Sequence, residues 1–350
     1  MKGDDAVVAD LRGALEPDRV LTTALELALY SRDASVIEGH AGVVCFPCDT
    51  AEVQAVVRVA RRHGRAVVPR GSGTGLAGGA VPVGATDDGP PPIVLVTSKM
   101  DRILEVDADE RVAWVQPGVL NLDLTRAVAE HELHFAPDPS SQQSCTIGGN
   151  VANNSGGPHC LLYGVTSGHV LAVEVVLADG SVAMIGGLEP DVPGYDLRGA
   201  FVGSEGTMGV ATRIAVRLTP NPPAVRTLLA DFTEVDAAAA TVSGIIAAGI
   251  VPAALEMMDA EITRAVEDYV HAGFPRDAAA ILLVEVDGLA AGVDEAAAEI
   301  DAIARANGAR SLRVAVDAAE RALLWKGRKS AFGAIARIAP NYYLHDAVVP

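Results

Sequence analysis

The sequence predicts an α+β protein built as two domains in tandem. Three observations carry this. The 350 residues are half hydrophobic, enough for two separate cores. Up to about Pro220, short apolar strands are interrupted by three glycine-rich stretches. Beyond Asn221-Pro222-Pro223, which reads as a linker, the texture changes to regular strand–helix alternation.

Residues 1–39 read as a leading segment, with Leu21 to Asp33 ending at a turn. Val43 to Phe46 is a short strand. In the DTAEVQAVVRVARRHG segment, Asp49 and Glu52 fit a capping box, Val53, Val56, Val57 and Ala60 share one face, and Gly64 closes the helix. Arg58, Arg61, Arg62 and Arg65 form its solvated face and last turn. RAVVP is a strand that delivers the chain into the first glycine stretch. AVPVGATDDGPPP is a turn-rich excursion, IVLVTS and RVAWVQPG are strands, and LNLDLTRAVAEHEL is an amphipathic helix. Asp138 to Gly157 is polar and glycine-rich. VLAVEVVLADGSVAMIG is a hairpin with Asp179-Gly180 at its tip, and VATRIAVRLTP is the closing strand.

From Val225, RTLLADF, AALEMMD, AILLVEVDG and RSLRVAV are strands. Each is followed by a helix, the last a long one from Asp317 to Ile338. The alternation reads as a separate α/β layer. NYYLHDAVV reads as one more strand, so the sequence reads as cut inside its second domain.

The stretch PRGSGTGLAGG, Pro69 to Gly79, contains a G-x-G-x-x-G pattern at Gly73, Gly75 and Gly78. A dinucleotide fingerprint must open a helix. Ala80-Val81-Pro82-Val83-Gly84 cannot be one, so the Rossmann reading fails. No lysine stands in the loop, which excludes a P-loop. Five glycines with Ser72 and Thr74 in eleven residues exceed what a hairpin turn needs. They suit an anion nest of consecutive N–H groups. PDPSSQQSCTIGGNVANNSGG, from Pro137, combines glycine pairs with hydroxyls and amides suited to a neutral heterocycle and its pyrophosphate. FVGSEGTMGV is the third cluster.

The net charge of −18 argues against a nucleic-acid protein. No apolar run approaches the ~20 residues of a membrane span, and Met1 to Asp10 carries no targeting signature, so the expected location is cytoplasmic. Four cysteines do not staple a chain of this length. Cys45-Phe-Pro-Cys48 is read as two incidental thiols at a strand–helix junction.

In this order the three glycine clusters resemble the FAD-binding domain of the vanillyl-alcohol-oxidase (PCMH-type) flavoproteins. ALEMMD, AERALLWKGRKSAF and APNYYLHDAVVP resemble the second domain of that family's glycolate oxidase and D-lactate (D-2-hydroxy-acid) dehydrogenase group. The resemblance implies a two-lobe FAD domain over residues 40–219 and an incomplete, ferredoxin-like substrate or cap domain over 220–350. It implies that Arg70, Gly71, Ser72, Gly73, Thr74, Gly75 and Leu76 cradle the pyrophosphate of FAD. Pro137, Asp138, Pro139, Ser140 and Ser141, with Thr146, Gly148, Gly149 and Asn150, would run along the ribityl chain and ring. Asn153, Ser155, Gly156 and Gly157 would continue that wall. Gly203, Ser204, Glu205, Gly206 and Val210 would lie near the adenine end.

No histidine stands in the first loop, so non-covalent FAD is expected, with His159 and His169 as ordinary loop histidines. Arg328 corresponds to the family's carboxylate-binding arginine, or is an exposed helix arginine; Lys326 and Lys329 are expected to be solvated. The family's histidine-bearing metal and base site would fall beyond Pro350, since 225–350 holds only His271 and His345. No metal ligand or catalytic base is assigned. The implied reaction is oxidation of a D-2-hydroxy acid such as glycolate or D-lactate by hydride transfer to FAD. The alternative is a non-catalytic FAD-binding subunit. FAD-binding and iron–sulfur partner subunits, through which the protein would sit at the inner membrane face, are implied as well. A nucleotide-sugar enol-ether reductase is disfavoured by the LEMMD and WKGRKSAF segments.

Overall fold

The computed structural model of the chain describes residues 2–83, 89–189, 193–339 and 341–347. The leading segment opens with a helix, α1 (Lys2–Ala14), that buries Val7 and Leu11. The chain continues through β1 (Val20–Leu21), α2 (Ala24–Ala28), β2 (Val43–Cys45), α3 (Thr50–Arg62), β3 (Val67–Arg70) and β4 (Ile93–Val96). These strands form one sheet in the order β1-β2-β4-β3, with β2, β3 and β4 parallel.

Asp49 caps α3 by accepting from the Glu52 N–H at 2.9 Å. The expected capping box closes only on that side. The Glu52 carboxylate takes the Cys48 N–H and the Arg19 guanidinium instead, tying the helix start to the segment before β1. Val53, Val56, Val57 and Ala60 bury the helix face as the pattern required. Cys45 lies in the core and Cys48 beside Arg19, as two free thiols. The middle of the turn-rich excursion, 84–88, lies outside the described residues.

The second lobe begins with β5 (Ile103–Asp107) and β6 (Val112–Val115). It continues through α4 (Asn121–Ala127), β7 (Leu133–His134), α5 (Ile147–Asn153), α6 (Cys160–Tyr163), β8 (Val170–Val176), β9 (Val182–Gly186), α7 (Leu197–Phe201), β10 (Val210–Arg217) and β11 (Thr219–Pro220). Its main sheet is antiparallel in the order β5-β6-β10-β8-β9. The Asp179-Gly180 hairpin forms as expected. Gly180 has φ +81°, and the Asp179 carboxylate accepts the Ser181 N–H at 2.8 Å. The expected helix after Leu120 is shorter, and the glycine-rich segment after Asp138 contains α5, unforeseen because Gly148 and Gly149 are poor helix formers. β11 pairs with β7, which brings the chain back beside the 135–142 loop before it leaves for the second domain.

That domain comprises β12 (Ala224–Phe232), α8 (Val235–Ala247), β13 (Ala254–Asp259), α9 (Ala260–Val270), β14 (Ala280–Gly288), α10 (Ala290–Ala306), β15 (Ser311–Val314), α11 (Ala318–Lys329) and α12 (Ala331–Ile335). The strand order is β13-β14-β12-β15 and every neighbouring pair is antiparallel. The strand–helix alternation is therefore α+β rather than α/β. The helical crossovers through α8 and α10 each pass over one strand position, and an antiparallel neighbour fills the gap.

Central β12 is apolar on both faces. Leu228, Ala230 and Phe232 join the core under α8 and α10, and Leu229 joins the core under α9 and α11. The expected long helix breaks at Ser330, which lets Ala334 reach the core beside α9. Residues 341–347 form no strand, and Val349-Pro350 lie outside the described residues.

Because the two domains have separate cores, a cavity in one should not melt the other. Phe232→Ala, at a fully buried position, should lower second-domain stability by about 3–5 kcal/mol. Urea unfolding followed by fluorescence would show it, since Trp325 reports on the second domain and Trp114 on the first. A single, equally shifted transition for both tryptophans would show that the cores are not separate.

Candidate functional site

Strand β3 ends at Arg70, and the chain then enters the glycine loop without forming a helix. The Arg70 side chain turns back under its own loop. It donates to the Ala80 carbonyl at 3.2 Å and stacks over Tyr30. Gly73 lies on top of it with φ +73°, and a Cβ there would stand 2.1 Å from the guanidinium. Arg70 thus props the loop from beneath. The N–H groups from Ser72 to Ala77 donate to no other group among the described residues. Together they make the concave row of donors that an anion nest requires.

The other two clusters close on this loop. A Cβ on Gly71 would lie 2.4 Å from Thr146 Oγ1, one on Gly79 would lie 2.8 Å from Glu205 Oε2, and one on Gly206 would press on the Pro69 ring at 3.1 Å. Gly75 faces Asn153, whose Oδ1 would be 3.7 Å from such a Cβ. The backbone N–H groups of Gly203 and Glu205 donate to Val151 and Ala152 at the end of α5. The structure therefore brings together loop 70–79, the start and end of α5, and loop 203–206. These segments lie more than 130 positions apart at their extremes, and each lets the next approach through a missing side chain. Ser204 Oγ is buried with no partner among the described residues.

Not every expected residue presents its side chain to that space. Asn150 is fully buried. It accepts from Asn121 at 2.9 Å, while Asn121 also donates to the Pro137 carbonyl, so this pair fixes loop 137–141 from behind. Val210 lies in the core of the first lobe. Gly148 sits against Pro117 and Gly157 against Asp138, at distances that no side chain would tolerate. Pro139 and Ser141 carbonyls close the turns leading to Thr146. Ser155 anchors Thr166 through its carbonyl, and Gly156 packs beside Cys160.

Loop 137–141 also meets the second domain, through Asp138. Lys329 Nζ lies 3.0 Å from its Oδ2, which corrects the expectation that Lys329 is solvated; Lys326 is exposed. His159 Nδ1 contacts the same oxygen at 2.8 Å, and its Nε2 reaches Glu285 Oε1 at 3.0 Å. His159 is therefore no ordinary loop histidine. Glu285, buried on β14, also accepts from Thr227, Trp325 Nε1 and both Nε and an Nη of Arg321. Burial alone would raise the Asp138 and Glu285 carboxyls. Hydrogen bonds from His159, with Lys329 at one and Arg321 at the other, outweigh it and hold both below the usual carboxylate range.

Sequence reasoning missed His159, Glu285 and Arg321. The one available signal was Glu285, a carboxylate inside the apolar run of AILLVEVDG. His169 is buried, with Nε2 on the Tyr163 carbonyl, and burial lowers its pKa. Arg328, in the last turn of α11, pairs with Glu256 of β13 through Nε at 2.7 Å and an Nη at 2.6 Å, and is neither solvated nor free.

Residues 41–186 match the family described as FAD binding domain, and residues 221–350 match the C-terminal domain of FAD linked oxidases. The chain is 44% identical to the glycolate oxidase subunit GlcD of Escherichia coli K12 over 346 residues, covering 99% of this chain and 68% of that protein. It is 41% identical to a D-lactate dehydrogenase of Archaeoglobus fulgidus over 226 residues, 64% of this chain and 48% of that one. Among solved structures, 4-ethylphenol oxidase from Gulosibacter chungangensis superposes with a TM-score of 0.80 at 20% identity, over 97% of this chain and 73% of that chain. p-Cresol methylhydroxylase, with a TM-score of 0.76, shares the fold as well. Among the described residues no helix is long and apolar enough to cross a membrane. The donor row of the first loop and the side-chain-free approaches around it fit the cofactor of these proteins, and the chain belongs to the GlcD-type FAD-linked oxidase family, with FAD as its cofactor.

Proposed function

We propose that the protein oxidises a D-2-hydroxy acid of the glycolate or D-lactate class to the 2-oxo acid. The observation that carries this reading is the meeting of three glycine clusters around an unpaired row of loop N–H groups, in a chain that matches a glycolate oxidase subunit nearly end to end. Bound FAD supplies the acceptor for a hydride from the α-carbon.

The chain's own residues bind and orient. The N–H groups of 72–77 hold the pyrophosphate, with Arg70 keeping the loop in shape. The flavin wall runs along 137–141, 146–149 and 153–157, and the adenine end along 203–206. Both His159 nitrogens are engaged and His169 is buried, which supports non-covalent attachment. The FAD-binding unit is taken as residues 40–219 and the substrate domain as 220–350.

Arg328 is the proposed carboxylate anchor. Its planar guanidinium already grips Glu256 with two nitrogens, so a substrate carboxylate would exchange for, or share, that partner. The relative in Escherichia coli is named as a subunit. On that ground we also propose assembly with FAD-binding and iron–sulfur partner subunits, which would carry electrons onward.

Purified protein should be yellow, and heat or acid should release FAD; release of FMN, or pigment left covalently attached, would contradict the reading. Gly75→Val isolates the ligand's approach. The protein leaves ordinary contact space for a Cβ at Gly75, and its φ is not left-handed. The variant should therefore fold, by circular dichroism, yet lose flavin. Full flavin occupancy in Gly75→Val would remove the loop from the pyrophosphate site.

With D-lactate or glycolate and an artificial acceptor, Arg328→Lys should raise KM by roughly tenfold or more and leave FAD content unchanged. An unchanged KM would take Arg328 out of the substrate site.

A further inference from the structure

His159 stands between two carboxylates that belong to different domains. Asp138 lies in the glycine-rich loop of the first and Glu285 on the central β14 of the second. A neutral imidazole has one donor and one acceptor nitrogen, whereas an ionised carboxylate only accepts. Both contacts are hydrogen bonds only when the ring carries both protons. The ring also lies on Trp325, with centroids 5.0 Å apart, and the Trp325 N–H is itself committed to Glu285 at 2.6 Å.

We propose that the His159 imidazolium is a positioning residue: by bridging Asp138 and Glu285 it sets the register of α11, and so of Arg328, against loop 137–142. Its kinetic consequence rests on the hydroxy-acid reading above; the bridge itself does not. Lys329 and Arg321, both on α11, flank the bridge at its two ends, so one helix follows whatever the bridge does. Arg328 lies between them in sequence, directly before Lys329.

The other groups facing His159 agree with a charged ring. Asp287, on β14, accepts from Tyr163 of α6 at 2.5 Å, and burial with Asp287 raises that phenol, so it stays protonated. His134, on β7, is lowered by burial, with His159 adding to the effect, and does not compete as a cation near neutrality. Burial opposes charge on His159, but the hydrogen bonds to Asp138 and Glu285 outweigh it and push the ring up to about 9. A folded pKa above the unfolded value of about 6.5 means that the bridge's stabilisation is complete below the unfolded value and lost as pH rises through about 9. The depressed carboxylates stay ionised throughout that window.

The FAD-loaded chain tests this by hydrogen exchange of segments 137–142 and 281–287, corrected for intrinsic rates, beside KM and kcat for D-lactate from pH 7 to 10. Wild-type protection should fall with a midpoint near 9, and KM should rise in step while kcat changes less. His159→Gln should bind FAD, show reduced protection already at pH 7, lose the pH dependence and raise KM several-fold. Wild-type protection that is flat from pH 7 to 10 would overturn the bridge, with or without a foldable variant. So would a His159→Gln protein with wild-type protection. If no hydroxy acid is turned over while protection titrates as expected, the substrate reading fails and the bridge stands.

Discussion

A carboxylate in the middle of an apolar strand is the constraint around which the two domains are arranged. Glu285 is about 1% exposed, on a strand whose other inward residues are aliphatic. An unpaired charge there would cost several kcal/mol. Thr227 from the adjacent strand, Arg321 and Trp325 from α11 and His159 from the other domain all donate to it. Replacing the group by an apolar residue could cost little, whereas deleting one donor leaves a buried charge short of a partner. The cluster is thus better understood as a device that fixes which surfaces meet than as a reservoir of stability. Its own-domain donors hold α11 to the sheet, and its one foreign donor holds the sheet to the flavin domain.

The first domain reaches the same end by the opposite means, with side chains absent rather than charged. Loop 70–79, α5 and loop 203–206 approach until a single Cβ would clash. Gly71 against Thr146 and Gly206 against Pro69 are the tightest in kind, because a threonine held by its own cap and a proline ring have little room to yield. The surface left behind is backbone and neutral amide. Such a surface suits an extended, polar cofactor whose pyrophosphate is held by many modest donors instead of one strong cation. It also explains why Arg70 lies under the loop: its charge supports the donors without displacing them.

How much of this was legible follows from how local each feature is. The hairpin at Asp179-Gly180, the face of α3 and the first four strands of the second domain are set by periodicity and turn chemistry within a dozen residues, and they form where expected, whereas 341–347 form no strand. The glycine clusters were visible because each is contiguous. The direction of the second-domain strands was not, since the same strand–helix alternation serves parallel and antiparallel sheets, and the crossovers that skip a strand leave no mark in composition. Glu52 only half makes the cap that its position suggests, because Arg19, 33 positions away, is the stronger partner. Lys329 and His159 differ from their local sequence signals for the same reason. Their partners lie 191 and 126 positions away, and a charge with a distant partner looks like a solvated charge.

The charge of the whole chain and the charge at the domain contact point in opposite directions, and at short range the second dominates. A protein at −18 repels a small carboxylate at long range. At physiological salt, however, exposed charges beyond about 8–10 Å are largely screened. The charge that matters at short range is then local: Arg321, Lys326, Arg328 and Lys329 follow one another along α11, with His159 as a further cation beside them. Three of these, Arg321, Lys329 and His159, are paired with buried Asp138 and Glu285, which cannot leave. Arg328 is held by Glu256, a half-buried carboxylate on β13. Among the paired cations of this group, Arg328 has the most accessible partner, and the more deeply buried pairs of Arg321 and Lys329 hold the helix on either side of it.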